Sequence, residues 1–142
     1  MASLLNLELI TPDGILLEEP VSQVVAVTEI GEVGILPNHA DLKSKLKSAP
    51  LRYKNQAGKE DYVAVLGGIL EVTKNKVTVI TDFAEKSSNI NETEAHKAAE
   101  RAKAEIQTQS TKANRNDRDL LIAETMLQKE LLKLQTAQLA KS

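Results

Sequence analysis

Residues able to do chemistry are few in this chain, and they are scattered. His39 stands beside Asn38, with Asp41 two positions on. An imidazole near a carboxylate can serve as a general base or a metal ligand. The other histidine, His96, lies far along the chain, and no serine occupies a nucleophile-elbow motif. Asp13 and Glu18-Glu19 offer carboxylates without the alternate-residue spacing of a calcium loop, so they read as solvated turn charge. Gly67-Gly68 is followed by neither Lys-Ser/Thr nor a helix start, which rules out a phosphate-binding loop. Lys112, Arg115 and Arg118 are offset by Asp117 and Asp119, the pattern of a soluble turn open to an acidic partner. Cysteine is absent, so disulfides and thiolate zinc sites are excluded. No catalytic, cofactor-binding or metal site is expected. The pattern is that of a docking protein.

Composition narrows the partners. The 142 residues hold three aromatic rings, Tyr53, Tyr62 and Phe83, so the core must be aliphatic and base stacking on single-stranded nucleic acid is disfavoured. A net charge of −2 lacks the basic surface that phosphate neutralisation requires. No stretch approaches the roughly 18 apolar residues of a membrane span. The first 20 residues carry four acids and no base, which disfavours a secretory or transit peptide. Any membrane association is expected through a partner.

Two periodicities divide the chain. Up to about residue 85 apolar residues alternate, as half-buried strands require. Leu5, Leu7 and Leu9 alternate with Asn6 and Glu8, and Val21, Val25 and Val27 are expected to share one face. Tyr62–Leu66 and Val77–Thr81 are rich in β-branched residues. Turn signals recur at Pro12-Asp13-Gly14, Glu18-Glu19-Pro20, Gly31, Pro37-Asn38, Ala49-Pro50, Asn55–Gly58 and Lys74-Asn75-Lys76. Gly67-Gly68 interrupts a strong strand and suggests a bulge or a close backbone approach. The fold expected for residues 1–86 is an antiparallel β-sandwich, and Ser87-Ser88-Asn89 reads as a linker.

For residues 87–142 the pattern predicts a two-helix antiparallel hairpin. Asn91, with Glu94 three residues on, makes a capping-box-like start. Ala95, Ala98, Ala99, Ala102 and Ile106 follow at helical spacing, and the first helix is expected to fray from Gln107. Asp117 is the expected cap of a second helix carrying Leu120, Ala123, Leu127, Leu131 and Leu134, with Leu121, Leu132 and Leu139 widening the apolar face. A buried alanine methyl is worth about 0.8 kcal/mol and a leucine about 1.5–3, so this seam is weak and leucine is left over. Such a hairpin alone in water is marginal. The residues by themselves therefore describe an interaction module with a mobile helical arm.

One motif is more specific. Gly31-Glu32-Val33-Gly34-Ile35-Leu36-Pro37-Asn38-His39-Ala40 resembles the Gly-x-x-Gly-x-Leu-Pro-x-His-Ala stretch of the F-type ATP synthase epsilon subunits, called delta in mitochondria. Leu9–Gly14, Leu66–Val72 and Val77–Glu85 resemble the same family in the same order, and the likeness runs from about residue 4 to the end. It implies a non-catalytic rotor subunit at the foot of the central stalk, bound to the gamma subunit and the c-ring and coupling ion flow to ATP synthesis. Glu32, Pro37, Asn38 and His39 would contact the ring, and Gly67, Gly68, Ile69 and Leu70 would lie near gamma. The helical arm would inhibit ATP hydrolysis, with Arg115, Arg118, Lys129 and Lys133 meeting beta subunits and the helices reaching alpha and beta. The location implied is peripheral, on the cytoplasmic face of a bacterial inner membrane or the stromal face of a thylakoid. Two departures stand out. Asp41 replaces the proline usual after His-Ala, and Ile90-Asn91-Glu92-Thr93-Glu94-Ala95 replaces an ATP-binding Ile-Asp-x-x-Arg-Ala motif. An acid in place of that arginine repels phosphate, so no ATP binding is expected. The rival reading is a free-standing adaptor gripping an unrelated partner.

Overall fold

The computed structural model describes residues 3–142; Met1 and Ala2, at the start of the expected sandwich span, lie outside the described residues. Nine strands precede two helices: β1 Leu5–Thr11, β2 Gly14–Thr28, β3 Gly31–Ile35, β4 Leu42–Leu46, β5 Ala49–Asn55, β6 Glu60–Val65, β7 Gly68–Thr73, β8 Lys76–Ile80 and β9 Ala84–Lys86. The long β2 serves both layers of a sandwich. Its first half pairs with β1, continuing the layer β1-β8-β7-β4. Its second half pairs with β3 and β5, and β6 and β9 extend that layer. Pairing is antiparallel except between β1 and β8, which run parallel.

The two inner faces bury an aliphatic core of Leu5, Leu7, Leu9, Val21, Val24, Ile35, Leu51, Val63, Leu70, Val72, Val77 and Val79, with Tyr53 as its one buried aromatic among the described residues. The alternation expected of β1 and β8 holds, and β7 follows the same pattern with Leu70 and Val72 inward. In β2 it does not. The register to β5 slips between Val21 and Gln23, so Val24 and Ala26, rather than Val25 and Val27, follow Val21 into the core. A single extra residue in a strand exchanges its faces. Val25 and Val27 consequently point to the outer surface of the second layer, where they line a cavity with Pro50, Arg52, Gln135 and Leu139.

The segment expected as a linker is a 3-10 turn, Ser87–Asn89, leading into α1 Glu92–Thr111. The Asn91 side chain accepts from the Glu94 N–H at 3.1 Å, satisfying one of the orphan donors of the helix start. The helix does not fray at Gln107. Gln109 is buried; its side-chain amide donates to Glu105 at 3.0 Å, and its oxygen accepts from the Asn116 N–H at 3.4 Å, closing the interhelical turn. The cap of α2, Asp117–Lys141, is Asn116, whose side chain accepts from the Arg118 and Asp119 N–H groups. Asp117 is the first helical residue, where its charge complements the helix dipole.

The hairpin lies on the sandwich. Ala95, Ala99 and Ala102 of α1 are buried, as is Ala123 of α2, and the small side chains let the two helices approach. α2 packs across β5 and β6, burying Leu132 and Thr136. Lys141 pairs with Glu92, joining the end of α2 to the start of α1. Leu121, Ile122, Met126, Leu131 and Leu139 remain exposed. Leu131 thus falls outside the apolar seam expected of it.

Candidate functional site

The Pro37–His39 corner is rigid for backbone reasons. Asn38 adopts a left-handed φ of 67°, which asparagine tolerates better than most residues. Its N–H donates to Asn75 Oδ1 at 2.6 Å, and the Asn75 amide donates back to Asn38 Oδ1 at 3.4 Å. Asn75 sits in the β7–β8 turn, itself left-handed at φ 62°, and its carbonyl accepts from the Asn6 N–H. Three chain segments are locked at this end. The His39 N–H donates to the Leu36 carbonyl at 3.1 Å, and its Nδ1 lies 2.6 Å from the Ala40 carbonyl, so the imidazole is held by its own loop. Leu36, 56% exposed, is the apolar group that the corner presents.

Glu32 is not part of this corner. It pairs in register with Val27 at the opposite end of β3, roughly 16 Å along the strand from Pro37. Its carboxylate lies 3.9 Å from the Arg52 guanidinium, on the face that α2 covers. The four residues expected to form one contact are therefore split between two places.

The glycine pair answers to packing. Gly67 and Gly68 have φ of 68° and 121°, and a Cβ on Gly68 would stand 2.2 Å from the Ile80 carbonyl oxygen. Only glycine lets β7 approach β8 so closely. Leu70 is fully buried, so it cannot touch a partner, and its expected contact role is corrected to a core role. Ile69, in contrast, is 44% exposed.

Ile69 opens a feature that the sequence reading passed over. It pairs with Ile80, Ile80 with Ile10, and Ile10 with Ile15, so four isoleucines stand side by side across β7, β8, β1 and β2. Ile80 and Ile15 are more than half exposed. A signal was present, since each of Ile10, Ile69 and Ile80 directly adjoins a core residue (Leu9, Leu70, Val79) and is out of phase with it. The next row on this outer face is polar, with Lys43 opposite Glu71, Glu71 opposite Thr78, Thr78 opposite Glu8 and Glu8 opposite Glu18. A hydrogen bond to Glu8, reinforced by the Glu8 charge, holds Glu18 above the usual carboxylate range. Lys76 approaches Glu8 to 3.8 Å.

The helix cations fall into two groups. Arg115 and Arg118 are exposed at the hairpin turn, with Arg115 3.0 Å from Asp117. Lys129 and Lys133 point inward, which corrects their expected role in this conformation. Their ammonium groups lie 4.8 and 5.4 Å from the centre of the Phe83 ring, a cation–π arrangement. Lys133 also reaches Glu130 at 3.0 Å and Glu85 at 3.8 Å. Glu130 is buried, and its second carboxylate oxygen has no partner. An underused buried carboxylate opposes docking, so the contact combines an attractive latch with an opposing element. No group of three or more metal-ligating residues occurs among the described residues, and no helix of these residues is long and apolar enough to cross a membrane.

The class that this fold defines is a β-sandwich carrying a docked two-helix hairpin. A family model described as the beta-sandwich domain of the ATP synthase Delta/Epsilon chain matches residues 4–87. The chain is 34% identical over 132 residues to the ATP synthase epsilon chain of Ligilactobacillus salivarius (strain UCC118), covering 93% of this chain and 94% of that one. It is 42% identical over 99 residues to the ATP synthase epsilon chain of Bacillus cereus (strain B4264), covering 70% and 74%. It also aligns with a chain in the Euglena gracilis mitochondrial ATP synthase structure of OSCP, F1 and c-ring, with a TM-score of 0.73, 25% identity, and coverage of 96% of this chain and 81% of that one. A chain of the Tetrahymena thermophila mitochondrial ATP synthase central stalk and c-ring shares the fold, with a TM-score of 0.53 at 14% identity and coverage of 94% and 96%. The chain belongs to the ATP synthase delta/epsilon family.

Proposed function

We propose that this chain is a non-catalytic central-stalk subunit of an F-type ATP synthase, made of a sandwich unit (1–86) that binds the gamma shaft and the c-ring and a hairpin unit (87–142) that regulates ATP hydrolysis. Family membership and the likeness to a chain in the Euglena F1/c-ring assembly support the assignment to the complex. The observation that carries the two-part reading is the hairpin's mode of docking. α2 is held by Lys129 and Lys133 over Phe83 while Leu121, Ile122, Met126 and Leu131 stay in solvent, so the arm keeps apolar surface for a second partner.

In this reading the Leu36–His39 corner meets the ring, and Gly67 and Ile69 lie at the gamma contact. Arg115 and Arg118 meet acidic residues of beta; Lys129 and Lys133 join them only after the hairpin leaves the sandwich, when the arm reaches alpha and beta. The chain resides on the membrane periphery through the complex, on the cytoplasmic or stromal side. It binds no ATP. The space between the turn and the helices is lined by Glu85, Glu94 and Glu130 against Lys133 and Arg101, and Asn91 is occupied in capping α1. Calorimetry is expected to show no binding at millimolar ATP, and a micromolar affinity would overturn this. The function itself is tested by purification from the source cell: the tagged chain brings down a gamma-type coiled coil and c subunits, whereas recovery without any ATP synthase component contradicts it.

A further inference from the structure

The β2 bulge has a consequence on the outer side of the second layer. Because Val25 and Val27 point outward there, they floor a cavity of about 360 Å³ that Pro50 continues and Leu139 of α2 overhangs. That size lies at the small end of ligand sites, which are apolar clefts holding a few placed polar groups. Two charged groups line this one. Arg52 stands opposite Val25 in the β2–β5 register and Glu32 opposite Val27 in the β2–β3 register, so the sheet sets a guanidinium and a carboxylate on adjacent rows. They approach no closer than 3.9 Å, and Arg52 lies 3.7 Å from Glu60, both longer than a direct hydrogen bond. Arg52 donors and Glu32 acceptors are therefore left available beside an apolar floor. From this juxtaposition we propose that the cavity binds a small neutral molecule, an apolar ring bearing a primary carboxamide, whose carbonyl oxygen accepts from Arg52 and whose N–H group donates to Glu32.

Charge selects the head group. A carboxylate gains Arg52 but is repelled by Glu32, and an amidinium gains Glu32 but is repelled by Arg52. A carboxamide carries an acceptor and donors side by side and opposes neither. The walls select the body, since valine, proline and leucine side chains offer a ring no polar atom to desolvate. A molecule seated here touches Val27 of the sheet and Leu139 of α2 together, and it loses the α2 wall when the arm departs. Such a ligand favours the docked arm by mass action. The effect on the arm rests on the two-part reading above, whereas binding does not.

The full-length chain is titrated with benzamide and followed by methyl and amide NMR. Saturable shifts are expected at Val25, Val27 and Leu139 with a Kd of about 1–10 mM, the affinity that ligand efficiency allows a fragment of this size. No saturable shift at these residues overturns the site. Benzoate and benzamidine, the same ring with charged heads, are expected to bind at least about 10-fold more weakly. Either one binding as tightly as benzamide overturns the head-group assignment. Val27→Phe fills the cavity and is expected to abolish the shifts, with thermal unfolding checking that the sandwich persists; shifts that survive in the folded variant overturn the placement. The three-ligand comparison on wild type stands whether or not that variant folds. Benzamide at about ten times its Kd is expected to slow amide exchange across α2 by about 10-fold and to leave β1 and β8 unchanged. Binding without slower exchange overturns the coupling to the arm and leaves the site standing. An α2 that exchanges as slowly as β1 without ligand contradicts the two-part reading instead.

Discussion

At the residue scale, Gly68 and the Glu8–Glu18 pair carry the sharpest consequences. Gly68→Ala places a methyl group against the Ile80 carbonyl and a side chain at φ 121°, so the sandwich should lose more than about 3 kcal/mol, measured by denaturant unfolding of the full chain. An unchanged midpoint would show that the close approach is dispensable. Glu18 is held above its usual range by Glu8, so it resists ionisation in the folded state. A group raised in this way contributes stability below its unfolded pKa and loses it as pH rises through the folded value. Glu18→Gln should therefore raise the melting temperature near neutral pH and have less effect in acid, where Glu18 is protonated in the folded and the unfolded chain alike. Melting curves across that range check the sign. Neither feature was fully legible from spacing. Gly67-Gly68 announced a close approach, but the atom it approaches comes from β8, and the carboxylate pair exists only because β1 and β2 are in register.

At the element scale, the strands were readable and the helix contacts were not. Period-two alternation located β1 and β8 and most of their core residues. The β2 bulge escaped because Val24, Val25, Ala26 and Val27 are all apolar, so alternation carries no phase there. The second helix has leucines on several faces, and composition alone cannot tell which of them meets the sandwich; Leu132 does, and Leu131 does not. Lys129 and Lys133 are expected at a partner contact because nothing local announces Phe83 beneath them. This gives a prediction about the arm. Lys133→Met removes the partner of buried Glu130 and should weaken docking by about 3–5 kcal/mol, seen as faster amide exchange across α1 and α2 with the sandwich unchanged. Lys133→Met combined with Glu130→Leu should restore much of the protection, since an apolar pair replaces the ionic one. Equal protection in the single variant and wild type would remove the latch from the account.

At the scale of the whole molecule, the proposed function makes the sandwich the rigid body and the hairpin its conditional appendage. The aliphatic sandwich buries its core between its own two layers, and no helix residue belongs to that core cluster. A chain truncated after residue 88 should consequently fold and bind the cognate complex with an affinity near wild type. ATP hydrolysis by the complex should rise, while no change would remove the inhibitory role of the arm. The family and the sandwich-plus-hairpin order were legible from motifs and periodicity. The isoleucine row was not, since it is assembled from three separate strand pairings and no stretch of sequence contains it.

The central claim, that the arm exchanges one partner for another, is tested most directly by a distance between spin labels at Lys59 in the β5–β6 turn and Gln138 on α2. Both positions are exposed, and the two segments border the same groove in the docked state. The isolated chain should give one short distance, and the assembled complex a second, much longer population whose share changes with ATP. A single short distance in every state of the complex would contradict the account.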